Sequence, residues 1–165
     1  MANLQSESHR NRIQLSIIIP EILSFIGIVS VIIYRLTLWS AVPDRIPTHF
    51  GFSKPDAWGN KNSLTGVIIA ILFFYGVFSL ITGVLWIMKQ RNLIKQMSEA
   101  QIAEFMGLLG WSKFELILIF AYIGYITVQV ALGKVSGLGV LFMPVSLIMV
   151  LGTMIFYAIR MKQRV

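Results

Sequence analysis

Four apolar runs, residues 16–39, 64–88, 114–133 and 138–159, take up most of this chain. A helix needs about 20 apolar residues to cross the hydrocarbon core of a bilayer, and each run meets that length. In lipid every backbone N–H and C=O must find a partner within the protein, which favours helix for isolated runs of this kind. The fold expected is all-α and integral to the membrane, with four transmembrane helices. Charged residues are 13% of the 165 positions, against roughly 25% in soluble domains. The net charge of +7 does not point to nucleic acid, because the basic residues cluster at the ends of the apolar runs, where membrane topology needs them. Without cysteine there is no disulfide, thiolate nucleophile or cysteine metal site.

A polar stretch, residues 1–12, precedes the first run. That run is too long for a signal-peptide core and no small-residue cleavage site follows it, so it reads as an uncleaved anchor. The organisation expected is a cytoplasmic leader, 1–12, and one membrane domain, 13–165. With the N-terminus in the cytoplasm, nine basic residues lie inside (Arg10, Arg12, Lys89, Arg91, Lys95, Lys113, Arg160, Lys162 and Arg164). Four lie outside (Arg45, Lys54, Lys61 and Lys134), with Arg35 near the outer end of the first span. The excess places both termini inside and the loop between the first two spans outside. Trp39, Trp58, Trp86 and Trp111 all fall near the interfaces so defined, where an amphipathic ring is best placed.

The inner connection, 89–113, has structure of its own. Ser98-Glu99-Ala100-Gln101 is a capping box, and Ile102, Phe105, Met106 and Leu109 follow at helical spacing with Glu99, Gln101 and Glu104 off the stripe. A short amphipathic helix before the third span is expected, with a helical extension of that span as the alternative. The segment is also a candidate dock for a cytoplasmic protein. The connection Gly133-Lys134-Val135-Ser136-Gly137 is tight enough to make the last two spans an antiparallel hairpin, and Pro144 is expected to bend the fourth.

An ionisable residue inside a span is a functional candidate by default. Glu21 follows Pro20, and the favoured reading starts the helix at that proline, leaving Glu21 at its inner end. The alternative is an unbroken helix with Glu21 half-buried and paired. Arg35 can snorkel outward or meet Asp44 or Asp56. Lys113 and Glu115 are expected in solvent at the inner start of the third span. Gln129 suits a hydrogen bond between helices, and Ser79, Gly76, Gly83, Gly124 and Gly152 offer small surfaces for close approach.

The outer loop cannot be explained by the bilayer. Pro43, Pro47 and Pro55 discourage helix, so the loop should be extended. Ile46, Phe50, Phe52 and Trp58 are too apolar for a solvated linker and should fold back onto the helix ends, with a turn starting at Pro55-Asp56. His49 is expected to hold the loop closed through Asp44 or Asp56, and these groups are too few for a metal site.

The string V-P-D-R-I-P-T-H-F-G-F-S-K-P-D-A-W-G-N-K, residues 42–61, resembles the signature of a bacterial and archaeal membrane domain of unknown function. That domain forms the N-terminal part of SdpI-type immunity proteins. Pro43, Asp44, Ile46, Pro47, His49 and Phe50 match the first half of its pattern, P-D-x-I-P-x-H-F. Pro55, Asp56, Trp58, Gly59 and Lys61 match the second, P-D-x-W-G-x-K. The turn Gly51-Phe52-Ser53-Lys54 is about one residue shorter than usual for the family, and the resemblance covers residues 15–90. It implies a bacterial plasma-membrane protein. The function expected first is non-enzymatic binding of a secreted peptide or another membrane protein through residues 43–61, in the manner of the immunity proteins it resembles. A second possibility is an accessory or transport subunit using Glu21, Arg35 and Gln129. An enzyme centred on His49 is not expected: metalloprotease, nucleophile-elbow, P-loop and dinucleotide motifs are all missing. No cofactor is expected.

Overall fold

The computed structural model describes the backbone of residues 2–163 and the side chains of residues 15–163. Helix α1 runs Ala2–Leu38, strands β1 (Arg45–Phe50) and β2 (Pro55–Asn60) form an antiparallel hairpin, and a 3-10 turn at Lys61–Ser63 leads into α2, Leu64–Gln90. Helices α3 (Glu99–Ala131) and α4 (Phe142–Lys162) follow. All four helices contain stretches long and apolar enough to cross a membrane. Residues 2–12 of the expected leader are the first turns of α1. The side chains of His9, Arg10, Arg12 and Arg164 lie outside the described residues.

The organising element is α3. It packs against α1, α2, α4 and β1, while α1 and α2 touch each other sparsely and α4 leans on α3 alone among the helices. Burial follows: 44% of the apolar window of α3 is inside the protein, against 6% for α2 and α4. The exposed apolar faces of α2 and α4 therefore suit lipid, which a soluble protein could not leave uncovered. At the hairpin end Val42, Ile46, Leu64 and Val128 form one buried cluster, and midway Ile28, Ile71 and Ile117 form another. The helices alternate in direction, so the start of α1 and the end of α4 lie together, away from the hairpin.

Several expectations are corrected here. No separate amphipathic helix precedes the third span. The Ser98 capping box is present, its hydroxyl accepting from the Gln101 N–H at 3.2 Å, but the helix it starts continues unbroken to Ala131. Nothing in residues 99–131 has the stop chemistry of a proline or a positive-φ glycine, and Ile102, Ala103 and Met106 are buried within the protein. Nor does α1 begin at Pro20. The proline ring fits because residue 110 of α3 is glycine: a Cβ there would come 3.0 Å from Pro20 Cγ. Pro144 falls in the first turn of α4, where its missing N–H has no carbonyl to serve, so it starts the helix rather than bending its middle. Consequently α4 begins later than expected and the connection 132–141 is longer. Gly76, Gly83 and Gly152 face open space rather than a neighbouring helix, whereas a Cβ at Gly124 would come 3.3 Å from the Val67 side chain of α2.

Candidate functional site

The hairpin is built by its prolines and held by its ends. Pro47 has no N–H to give a ladder, and it is tolerated because a two-stranded hairpin consists only of edge strands. The register pairs Pro47 with Trp58, His49 with Ala57 and Phe50 with Pro55, leaving Thr48 and Asp56 as extra residues on their strands. These bulges turn the side chains locally. His49 Nδ1 lies 2.6 Å from Asp56 Oδ1, an exposed pair across the strands. Gly59 is required where Thr48 crowds β2, since a Cβ would stand 2.7 Å from the Thr48 methyl. At the base, the Lys61 N–H donates to the Asp44 carbonyl at 2.9 Å and the Lys61 ammonium meets the Asp44 carboxylate at 3.0 Å.

The turn is Gly51–Lys54, closed by the Gly51 N–H on the Lys54 carbonyl at 2.9 Å. It thus precedes Pro55, which begins β2 instead of starting a turn. The Leu138 N–H donates to the Ser53 carbonyl at 2.8 Å, stapling the α3–α4 connection to the hairpin tip. Only glycine fits at 137, because a Cβ there would overlap that carbonyl oxygen.

Of the eleven hairpin candidates, Ile46 and Pro47 are buried, and Ile46, 1% exposed, is the plug that seats the hairpin on α3. Phe50 packs against the cluster of Ile126, Val130 and Leu138. Pro43, Asp44, His49, Asp56 and Trp58 are exposed, and Pro55, Gly59 and Lys61 are intermediate. Two aromatics expected to fold inward do not: Phe52 is 69% exposed and Trp58 45%. Beneath β1 lies a cavity of about 300 Å³, walled by Thr48, His49, Phe50, Thr127, Leu138 and Phe142 among others. Rim and cavity together present aromatic surface, a His–Asp pair and an apolar hole. Among the described residues no three His, Asp or Glu side chains converge as a metal site would need.

The intramembrane polar residues separate into distinct groups. Glu21 is paired, as the less favoured sequence reading had it: Lys113 of α3 donates to its carboxylate, and the Tyr75 hydroxyl of α2 donates to the other oxygen at 2.7 Å. Lys113 also reaches Ser79 Oγ at 3.1 Å and stands 4.7 Å from the centre of the Tyr75 ring. Ser79 is about 16 Å along α2 from Gln90, at the usual rise per residue, so this network is well inside the helices. Lys113 is not a solvated end residue; it is 1% exposed. Glu115, two residues on, points to the opposite face and accepts from Thr153 of α4, equally removed from solvent. Nearer the end of α4, Arg160 pairs with the buried Glu104 at 2.8 Å. Sequence reasoning missed Lys113, Glu104 and Glu115 because proximity to a span's end was read as exposure. The one signal available was that Lys113 and Glu115, two apart on a helix, face nearly opposite ways and so could not share a single solvent-facing stripe.

Arg35 meets neither Asp44 nor Asp56. Its Nη2 donates to Thr65 Oγ1 at 2.7 Å and its guanidinium sits 4.7 Å above the Trp39 ring. Gln129 does bridge helices as expected, donating to the Tyr34 hydroxyl at 2.8 Å.

Fold and site define a multi-pass membrane protein with a β-hairpin between its first two membrane-length helices. Residues 26–74, from the middle of α1 through the hairpin into α2, match the family described as a domain of unknown function, DUF1648. No curated protein and no solved structure matches the chain.

Proposed function

We propose that this chain is a non-enzymatic protein of a bacterial plasma membrane, with both termini cytoplasmic, that binds a secreted peptide or a neighbouring membrane protein through its hairpin, in the manner of SdpI-type immunity proteins. The observation that carries the reading is the hairpin's construction. It is pinned by Ile46, Lys61 and the Ser53–Leu138 staple, yet it leaves Phe52, Trp58 and the His49–Asp56 pair exposed, and His49 also lines the cavity. Ordering such a loop in advance lowers the entropy cost of association. Aromatic side chains are among the commonest anchors of a protein interface. The excess of Lys and Arg at the other end supports an outward-facing hairpin.

A cysteine-free chain makes the orientation simple to test. Phe52→Cys should react with a membrane-impermeant maleimide in intact cells, while Asn92→Cys should react only after permeabilisation; the reverse pattern would overturn the outward hairpin. For the binding role, a photoreactive residue at Phe52, which is exposed at the hairpin tip, should capture a discrete peptide or membrane protein in living cells, identified by mass spectrometry. That capture should be lost with His49→Ala. Capture of lipid and of the chain's own helices alone would reduce the hairpin to a structural lid.

One observation favours a second reading, as an accessory or transport subunit. The network of Glu21, Tyr75, Ser79 and Lys113 puts two ionisable groups and two hydroxyls together inside the spans. Arg35 and Gln129, the other polar residues of that reading, bond elsewhere. The network is local and does not extend along the bundle as a path.

A further inference from the structure

A second cavity, of about 380 Å³, lies where α1, α2 and α3 converge below the hairpin. Gly27, Ser30, Ala121 and Gly124 leave the room for it, and its wall is almost wholly apolar. Its one charged lining group is Arg35, close to the end of α1. That guanidinium has no carboxylate partner among the described residues, and its buried Nε has no hydrogen-bond partner there. Arg35 cannot shed its proton to escape the cost, because guanidinium stays charged in proteins. Thr65 and the Trp39 ring meet the guanidinium only in part, and neither supplies a countercharge. Lys61 also approaches the Trp39 ring, 5.4 Å from its centre, but its charge is met by Asp44, so Arg35 is the uncompensated cation here.

An apolar slot beside an unpaired cation, near a helix end with an interfacial tryptophan, has the shape of an amphiphile's site. We propose that the cavity holds one acyl chain of an anionic phospholipid whose phosphate pairs with Arg35. The guanidinium offers the forked donors that phosphate oxygens accept. The acyl chain occupies space that small side chains leave between the helices. A headgroup that carries no cation of its own leaves its phosphate free to pair with Arg35, which favours an anionic lipid over phosphatidylcholine. The bilayer itself supplies this ligand, so the site differs from the hairpin cavity in both occupant and location.

The test uses Trp39 as reporter, in full-length protein carrying Trp58→Phe, Trp86→Phe and Trp111→Phe, in phosphatidylcholine vesicles. A small fraction of phosphatidylglycerol with brominated chains should quench Trp39 more than the same fraction of brominated phosphatidylcholine. Arg35→Gln should weaken that preference by about tenfold, as loss of a charged hydrogen bond would. Ala121→Phe, which fills the slot and leaves the charge, should also lower the quenching. Equal quenching by the two lipids in the parent, or a preference that survives either substitution, overturns the proposal. So does loss of the preference on adding inorganic phosphate, which would make this a site for free phosphate.

Discussion

Glu21→Gln is expected to destabilise the protein by about 3 kcal/mol, the low end of the cost of breaking a buried ion pair, because Lys113 is buried while Glu21 is half-exposed. The substitution strands Lys113, which is 1% exposed and whose remaining polar contacts are the Ser79 hydroxyl and the Tyr75 ring. Lys113→Met should cost less, because the Glu21 side chain is 45% exposed and keeps the Tyr75 hydroxyl. A double variant, Glu21→Leu with Lys113→Met, should recover most of the loss, since no uncompensated charge remains. Reversible unfolding in mixed detergent micelles would measure all three. Equal single losses that simply add in the double variant would mean the pair does not couple α1 to α3. The same reasoning qualifies functional data: inactivity of Glu21→Gln would report a broken bundle before it reported a transport path.

The second large effect is expected at the plug of the hairpin. Ile46→Ala removes a side chain packed with Val42, Leu64 and Val128, and truncations of this kind cost about 2–5 kcal/mol. The loss should be local. Hydrogen exchange of the amides in β1 and β2, and of Leu138, should accelerate while the middle of α3 stays protected. Trp58→Ala provides the contrast: as a surface change it should alter stability by no more than about 0.5 kcal/mol while abolishing partner capture at the hairpin. If Ile46→Ala leaves exchange in the hairpin unchanged, the strands are held by their termini and the buried cluster is incidental.

The parts legible in the sequence were those set by local chemistry. Apolar runs of membrane length gave the helices, three prolines gave the extended loop, and Ser98 with Gln101 gave the start of α3. Gln129 was readable as an interhelical bond because an amide deep in a span has few other uses. Partners far apart in sequence were not legible. Lys113 and Glu21 are separated by 92 positions, and only the packing of α1 on α3 brings them together. Pro20 misled for the same reason: the residue that accommodates it, Gly110, is on another helix. The site divides the same way. The proximity of His49 and Asp56 was an open alternative, but which aromatics plug the hairpin and which stay outside depended on strand register. The bulges at Thr48 and Asp56 alter that register and cannot be read from alternation alone.

The pairing of Lys113 with α1 and α2 also bears on how the chain is made. A lysine at the centre of a span costs about 2.5–3.5 kcal/mol to insert on biological scales. Its three partners, Glu21, Tyr75 and Ser79, all precede it in the chain and so leave the ribosome earlier. Lys113 therefore enters a membrane that already holds the groups that solvate it. The order of synthesis and the order of assembly coincide.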